Sequence, residues 1–325
     1  MTTFLLLLGG LVLLVLGGEL LVRGSVNVAS RLGVSPLVIG LTLVGFGTST
    51  PELVTSVQAA LAGAPGIAYG NIVGSNIANI LLILGISTII LPIAVESRTL
   101  KRDGVVMIGV ALVFAAMAAT MPAGRLVGAV FVAALGLYIY VAFRQESQSG
   151  AEHGAAYDKS IAAQEADAGL VPAPGPKGSL LWPLLMALGG LAIVVYGGNL
   201  LVTGAVGLAR SFGISETVIG LTIVAVGTSM PELVTSVMAA LRRQTDVAFG
   251  NIVGSNIYNI LGIGGATALM SPTMVPQEIV TFDNLVMIGV SLLVVLFAWT
   301  GRQISRWEGA VLLAGYGVYV WSIWP

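Results

Sequence analysis

Two glutamates occur in near-identical surroundings in the two halves of the chain, each directly after a proline. Glu52 ends the segment GTSTPE (47–52), and Glu232 ends GTSMPE (227–232). A proline inside a helix leaves the carbonyl group four residues earlier without its hydrogen bond. Each motif therefore combines a carboxylate, hydroxyl groups and a freed carbonyl group, the oxygen ligands that hard cations such as Ca²⁺ prefer. The carbonyls are those of Gly47 and Gly227, and the hydroxyls are those of Thr48, Ser49, Thr228 and Ser229.

A second polar motif follows each glutamate further along the chain. It reads GNIVGSNIAN at 70–79 and GNIVGSNIYN at 250–259. Its polar residues are spaced by four, so they form one stripe of a helix. The stripe consists of Asn71, Ser75 and Asn79 in the first copy and of Asn251, Ser255 and Asn259 in the second. Small residues and asparagines in membrane helices also serve simply to join helices, and that interpretation stays open for the motif. We expect it for Asn76 and Asn256, which lie off the stripe.

The elements that carry these motifs are membrane helices. The chain has 325 residues, of which 56% are hydrophobic and only 9% charged, whereas soluble domains carry about 25% charged residues. Apolar runs of spanning length lack the alternation of barrel strands, so each must be a helix. The spans are predicted at 3–22, 36–61, 67–92, 104–122, 126–143, 180–203, 216–241, 247–270, 284–301 and 307–324. The fold class is therefore an all-α polytopic membrane protein with ten transmembrane helices.

The two halves are copies of one sequence in opposite orientations. Residues 38–81 and 218–261 are identical at 31 of 44 positions. Each half has five spans, an odd number, so the second half enters the membrane inverted, as in many secondary transporters whose site lies where the repeats meet. We assign residues 1–143 to the first repeat, 144–179 to a linker and 180–325 to the second repeat. The linker is polar and poor in apolar residues, which predicts a solvated, disordered or loosely helical connector.

Basic residues predict the orientation. Placing the N-terminus outside the cell puts 12 of the 14 Lys and Arg residues on the cytoplasmic side and leaves Arg125 and Arg210 outside. We therefore expect a multi-pass protein of the cell membrane with both termini extracytoplasmic and the linker at 144–179 cytoplasmic.

The glutamates favour a transported cation over a structural role. A carboxylate near the bilayer centre costs at least a few kcal/mol, and two of them repel across a medium of low dielectric constant. The alternative is that both glutamates are protonated and hydrogen-bonded and have a structural role. The chain has no Cys, and its one histidine, His153, lies in the polar linker, so a soft-metal site is excluded. Calcium fits an all-oxygen cage of six to eight ligands, and sodium uses the same oxygen chemistry.

The duplicated GTSxPE and GNxxGSN motifs resemble the alpha-repeats of the cation/calcium exchanger superfamily, particularly its prokaryotic sodium/calcium exchangers. The resemblance covers essentially the whole chain and implies alternating-access antiport of Ca²⁺ for Na⁺. It implies Glu52 and Glu232 as central ligands, with backbone carbonyls of Gly45 and Ala225 at outer sodium sites. It further implies assisting ligands at Thr48, Ser49, Ser75, Asn79, Thr228, Ser229, Ser255 and Asn259. Some relatives have Asp at a position matching Asn79 or Asn259, whereas both residues are Asn in this chain. This difference leaves the coupling ion open, because proton-coupled relatives use similar glutamate pairs. A Ca²⁺/H⁺ antiporter of the same superfamily is therefore the alternative.

Other functions fit the sequence less well. An intramembrane enzyme could use the two glutamates as an acid and a base, but the symmetric oxygen surroundings argue against differentiated roles. A passive cation channel is a third option, whereas an ATP-driven pump lacks its phosphate-binding motif. With a net charge of −1, no nucleic-acid partner is expected. We predict membrane lipid, Ca²⁺ and Na⁺ as the partners, with no cofactor and no obligate protein partner.

Three further carboxylates are left outside the predicted site. Glu19 precedes Arg23 by four residues, which predicts an interfacial ion pair. Asp103 and Asp283 precede the apolar runs of the fourth and ninth spans, where helix capping would explain them.

Overall fold

Helices at all ten predicted spans form the structure, a computed structural model that describes residues 2–95, 100–147, 154–172 and 180–325. The first repeat comprises α1 (Thr2–Arg31), α2 (Pro36–Gly47), α3 (Thr50–Leu61), α4 (Pro65–Ile90), α5 (Arg102–Thr120) and α6 (Arg125–Glu146). The linker contributes α7 (Ala155–Ala166) and a 3₁₀ turn (Ala168–Leu170). The second repeat comprises α8 (Leu181–Phe212), α9 (Glu216–Thr228), α10 (Met230–Leu241), α11 (Thr245–Met270), α12 (Ile279–Gly301) and α13 (Arg306–Ile323). Two short antiparallel strands, β1 (Ile93–Ala94) and β2 (Gln303–Ile304), join the repeats.

Spanning helices occur where the sequence predicted them, so the fold class is confirmed. Among the described residues, seven continuous helices are long and apolar enough to cross a membrane. Two more spans are bent pairs, α2 with α3 at 53° and α9 with α10 at 48°. The remaining predicted span, 307–324, is occupied by α13.

Each bent span breaks immediately before its proline. The backbone turns at Ser49 and at Ser229, with φ/ψ of −88°/9° and −81°/10°. Pro51 and Pro231 therefore lie in the first turn of a new helix, where a missing N–H costs nothing. The sequence predicted that each proline lies in a helix interior, and that prediction was wrong. The preceding helix already ends at the turn before the proline, so the proline ring does not interrupt it.

Glycines hold α1 and α8 in direct contact and reveal that they run antiparallel. A Cβ atom on Gly10 would lie 2.7 Å from the carbonyl oxygen of Gly197, and one on Gly190 would lie 2.8 Å from that of Gly17. Higher residue numbers on α1 thus meet lower numbers on α8. Such close helix approach requires small residues, and the antiparallel pairing agrees with the predicted inversion of the repeats.

The centre of the molecule is formed by α4 and α11, which carry the GNIVGSN motifs. Their residues 70–81 and 250–261 are all buried. Each helix contains a π-helical turn after its motif, Asn79–Leu84 in α4 and Asn259–Gly264 in α11. Further π-helical turns occur in α2 (Gly40–Val44) and α9 (Gly220–Val224). Such turns interrupt the regular helix and occur frequently at functional sites.

The linker contradicts the prediction of a solvated connector. Helix α7 packs against α11, α10 and the π-helical turn of α2, and its residues Asp158, Lys159 and Ser160 are buried. The sequence of α7 has no amphipathic pattern, because many of the side chains that this helix buries are polar. They pack against glycines and hydroxyl groups of neighbouring helices. His153 lies outside the described residues.

Two of the three further carboxylates differ from expectation. Helices α5 and α12 begin with π-helical turns that include Asp103 and Asp283, so neither side chain caps its own helix. Asp103 instead accepts hydrogen bonds from Arg102 and from the backbone N–H of Ala155, and Asp283 accepts one from Tyr319. The ion pair between Glu19 and Arg23 is confirmed, and Arg23 also pairs with Asp167 of the linker.

Candidate cation-binding site

The two glutamates lie at the helix breaks, and each is bound by a serine of the opposite repeat. Both Glu52 and Glu232 are only 1% exposed. The hydroxyl of Ser229 donates to Oε1 of Glu52 at 3.0 Å, and the hydroxyl of Ser49 donates to Oε1 of Glu232 at 2.9 Å. Along the chain, Ser49 and Ser229 each lie close to the glutamate of their own repeat. In the fold, each serine instead binds the glutamate of the other repeat.

Several buried oxygen atoms near the glutamates accept no hydrogen bond from the described residues. These atoms are Oε2 of Glu52, Oε2 of Glu232, Oδ1 of Asn79 and Oδ1 of Asn259. A buried acceptor without a donor is costly, and most such groups in folded proteins are paired. Carboxylate and amide oxygens left free in this way fit a site whose partner is a cation.

Hydrogen bonds between α4 and the break in α9 join the repeats on one side of the glutamates. The hydroxyl of Thr228 donates to Oδ1 of Asn71 at 2.9 Å, and the hydroxyl oxygens of Ser229 and Ser75 lie within hydrogen-bond distance, 3.0 Å apart. Asn71 in turn donates to Ser56 and to the carbonyl of Glu52. The polar stripe predicted on α4 therefore faces the opposite repeat, as a shared site requires.

The corresponding residues on the other side are joined through a lysine instead. Lys159 of α7 is fully buried, and its ammonium group donates to Thr48 Oγ1 at 2.7 Å and to Ser255 Oγ at 2.6 Å. It lies 3.4 Å from Oε1 of Glu232. Burial lowers the pKa of Lys159, and the carboxylates of Glu232 and Glu52 oppose that shift. Sequence reasoning missed this residue, since no motif or spacing distinguishes a single lysine in a polar linker.

The two asparagines that end the stripes have different surroundings. Asn79 donates to Oδ1 of Asn256 at 3.0 Å, whereas Asn259 makes no hydrogen bond between side chains within the part of the chain that the structure describes. Asn256 also donates to the carbonyl of Asn76, so its expected role in joining helices is confirmed. Asn76 donates within its own helix, to the carbonyl of Ile72.

The small residues of the predicted set lie in the last turns before the breaks. The carbonyl of Ala225 accepts a hydrogen bond from the N–H of Ser229 and lies 3.3 Å from the hydroxyl oxygen of Thr228. Gly47 packs against α1, where a Cβ atom would lie 2.7 Å from Val22, and Gly227 approaches Leu11 of the same helix. Gly45 lies beside Tyr258, whose hydroxyl donates to the carbonyl of Leu41 at 2.7 Å. Close helix packing thus accounts for Gly47 independently of any ligand role.

The donor set suits a hard cation bound in transit. It consists of two carboxylates, hydroxyls and amide oxygens, and the described residues contain no cluster of three or more His, Cys, Asp or Glu side chains able to hold a metal ion. Two carboxylates balance one divalent charge, and the flexible oxygen geometry is the kind that calcium accepts.

Comparisons with known proteins agree with this chemistry. A family model described as "Sodium/calcium exchanger protein" matches residues 2–144 and 182–324. The chain is 37% identical to the putative antiporter CaxA of Alkalimonas amylolytica, over 94% of each chain. It is also 37% identical to the sodium/calcium exchanger MaX1 of Methanosarcina acetivorans, over 98% of this chain and 97% of that protein. Among solved structures, it is similar to the sodium-calcium exchanger NCX_Mj soaked with 10 mM Na⁺ and zero Ca²⁺, with a TM-score of 0.63, 33% identity and 99% coverage of both chains.

Proposed function

The chain belongs to the sodium/calcium exchanger protein family, and we propose on that premise that it exchanges Ca²⁺ for Na⁺ across the membrane by alternating access. The observation that carries the proposal is the pair of buried glutamates. Glu52 and Glu232 come from inverted repeats, and each is held by a serine of the other repeat. Each retains one carboxylate oxygen that accepts no hydrogen bond from any described residue. One Ca²⁺ or a set of Na⁺ ions would satisfy these oxygens in turn.

The proposed ligands form a central set and an assisting set. Glu52 and Glu232 supply the charge in the centre. Assisting oxygens come from Thr48, Ser49, Ser75, Asn79, Thr228, Ser229, Ser255 and Asn259. We further propose that backbone carbonyls at Gly45, Gly47, Ala225 and Gly227 contribute when the helix breaks rearrange. This assignment rests on the convergence of both repeats on one buried polar centre.

Strict exchange follows from the charge of the site. An empty pair of carboxylates would be exposed to a low-dielectric environment while the protein reorients, at a cost of at least a few kcal/mol. Bound cations remove that cost, so reorientation is favoured when the site is loaded. A channel has no such requirement, because it conducts without reorienting.

The two sides of the site differ in a way that fits one state of an alternating cycle. Where α4 meets α9, a Cβ atom on Gly74 would lie 2.5 Å from the carbonyl oxygen of Leu221, and one on Gly70 would lie 2.9 Å from its backbone nitrogen. That side is closed by direct backbone contact. We propose that the opposite state brings Gly250 and Gly254 of α11 against Leu41 of α2 in the same manner.

The test is sodium-driven calcium uptake. Purified protein in tight liposomes loaded with Na⁺ and diluted into Na⁺-free buffer with Ca²⁺ should accumulate calcium. Replacing internal Na⁺ by choline should abolish the uptake, and external Na⁺ should inhibit it by competing for the same oxygens. Uptake that follows an imposed pH gradient and ignores Na⁺ on both sides would contradict the proposal and favour Ca²⁺/H⁺ antiport.

Orientation in the cell membrane is part of the proposal, with both termini and the α3–α4 turn outside. Ala62 and Arg242 are exposed and are symmetry mates in the two repeats. In a chain without native cysteine, Ala62→Cys should react with an impermeant maleimide from outside the cell and Arg242→Cys only from the cytoplasm. Reaction of both from the same side would contradict inversion, and the reverse pattern would overturn the orientation.

A further inference from the structure

The linker helix α7 lies inside the molecule with its lysine in the candidate site. We propose that α7 is a tethered blocker, in which the ammonium group of Lys159 occupies the cation site and excludes the transported ions until α7 withdraws. The identity of those ions rests on the proposed function. The contacts of Lys159 that support the blocker do not depend on that function.

Lys159 makes the contacts that a bound cation would make. Its ammonium group lies within 2.6–3.4 Å of a hydroxyl of the first repeat, a hydroxyl of the second repeat and a carboxylate oxygen of Glu232. The hydroxyls are those of Thr48 and Ser255, both independently expected to bind the transported ion. A Ca²⁺ or Na⁺ ion cannot share these oxygens with the ammonium group, so the lysine and the ion compete for one site.

Glycines make room for α7 on this side of the protein. A Cβ atom on Gly250 would lie 2.2 Å from Cβ of Asp158, and one on Gly254 would lie 3.2 Å from Cβ of Lys159. Their symmetry mates, Gly70 and Gly74, contact the backbone of α9 directly. Helix α7 therefore occupies the space into which α11 and α2 would close, and it blocks reorientation as well as binding.

Polar contacts at both ends anchor α7. At its C-terminal end, Arg23 donates two hydrogen bonds, at 2.7 and 2.8 Å, to the carboxylate of Asp167. At its N-terminal end, the N–H of Ala155 donates to Asp103 at 2.8 Å. Glu165 of α7 also pairs with Arg242, and alanines of α7 pack in the hydrophobic core. Because α7 is not one of the spanning helices, its withdrawal leaves those helices in place.

The expected cost to transport follows from the fraction of molecules in which the site is free. If α7 vacates the site in about a tenth of the molecules, the apparent affinity for the transported ion is reduced about tenfold. Because the lysine is tethered, its effective concentration at the site is in the millimolar range or higher, and it competes without any added ligand.

The first experiment measures competition without transport. Cβ of Ser160 lies 3.5 Å from the Cβ position at Gly40, within the range that a disulfide accepts. The Gly40→Cys/Ser160→Cys protein, oxidised in detergent with choline chloride, should form an intramolecular disulfide. Saturating CaCl₂ or NaCl at equal ionic strength should slow its formation by about fivefold or more, because the ion displaces Lys159. Each single-cysteine protein is the control for intermolecular products.

Adding Lys159→Ala to this pair should remove the sensitivity of disulfide formation to Ca²⁺ and Na⁺. Cross-linking that is equally fast with and without these ions in the protein that retains Lys159 would overturn the proposal. So would a complete failure of the pair to cross-link in choline, since α7 would not then occupy the site.

The second experiment measures exchange in proteoliposomes. Lys159→Ala should raise the initial rate of Na⁺-dependent Ca²⁺ uptake at subsaturating Ca²⁺ by about threefold to tenfold. Arg144→Gln removes an exposed basic residue near the same linker and should leave the rate unchanged. Oxidising the Gly40→Cys/Ser160→Cys protein should abolish uptake, and a reductant should restore it. Loss of uptake in Lys159→Ala would overturn the proposal, because the lysine would then belong to the transport machinery.

The two experiments separate the failure of this proposal from the failure of the proposed function. Ion-sensitive cross-linking together with no sodium-driven uptake, in either the unmodified protein or Lys159→Ala, would support the blocker and contradict sodium/calcium exchange. Sodium-driven uptake that is the same in both proteins, together with ion-insensitive cross-linking, would support exchange and overturn the blocker.

Discussion

The α4–α9 side and the α11–α2 side of the site are made from nearly the same residues yet are packed differently. On the α4–α9 side, Gly70 and Gly74 meet the backbone of α9, and Thr228 donates directly to Asn71. On the other side, the mates Gly250 and Gly254 meet α7, and Lys159 bridges Thr48 and Ser255. Equivalent sequences can therefore hold two arrangements, one closed by the repeats themselves and one filled by the linker. Alternating access requires this capacity.

The largest expected effect concerns what the two sides share. Glu52→Gln and Glu232→Gln should each reduce sodium-driven Ca²⁺ uptake more than a hundredfold, because removing one charge from a buried charged site costs about 3–5 kcal/mol. Uptake is measured in proteoliposomes, with a monodisperse elution profile as the check on folding. Glu19→Gln, an identical change at an exposed ion pair, should retain uptake within about twofold. Normal uptake by either variant would contradict the assignment of Glu52 and Glu232 as cation ligands.

The next effect tests whether one side is closed by backbone contact. Gly74→Val places a side chain 2.5 Å from the carbonyl oxygen of Leu221 and should destabilise the protein by about 1–3 kcal/mol. Thermal unfolding in detergent measures it. Gly254→Val should destabilise less, because it meets the removable helix α7. Gly109→Val, where nothing lies within 4 Å, is the control. If Gly74→Val and Gly254→Val destabilise the protein equally, α7 is held in its position as firmly as α9 and does not withdraw easily.

A smaller effect is expected at the anchor of α7. Asp167→Asn weakens the two hydrogen bonds from Arg23, a partly exposed pair worth up to about 1 kcal/mol. Release of α7 should therefore increase by up to about fivefold, which raises uptake and slows cross-linking of Gly40→Cys/Ser160→Cys. Glu19→Gln breaks only the neighbouring pair within α1 and is the matched control. Slower uptake in Asp167→Asn would contradict a blocking role for α7.

The smallest effect compares two symmetry-related asparagines. Asn71 accepts a hydrogen bond from the opposite repeat, whereas the amide nitrogen of Asn251 contacts, among the described residues, Ser236, Thr235 and the carbonyl of Glu232 in its own repeat. Asn71→Ala should therefore lower the free energy of unfolding by about 0.5 kcal/mol more than Asn251→Ala does. Chemical denaturation in detergent measures the difference. A larger loss at Asn251 would reverse the assignment of the closed side.

Much of the fold and the centre of the site could be predicted from the sequence. Apolar runs of spanning length predict helices because a backbone in hydrocarbon must satisfy its own hydrogen bonds. The repeated motifs with Glu52 and Glu232 predict that both halves contribute to one site. The capping of α5 and α12 was predicted wrongly, because Asp103 and Asp283 lie inside π-helical turns that local sequence does not reveal.

The sequence by itself determined the inverted repeats, the paired carboxylates and the oxygen chemistry of the site, because each depends on residue type and spacing within one helix. Only the tertiary structure decided which serine holds which glutamate, which side is closed and where Lys159 lies. The segments 38–81 and 218–261 are identical at 31 of 44 positions, so their sequences do not reveal which side is closed. That asymmetry arises from packing between distant segments, in which a polar linker without a periodic pattern fills the space that the second repeat leaves open.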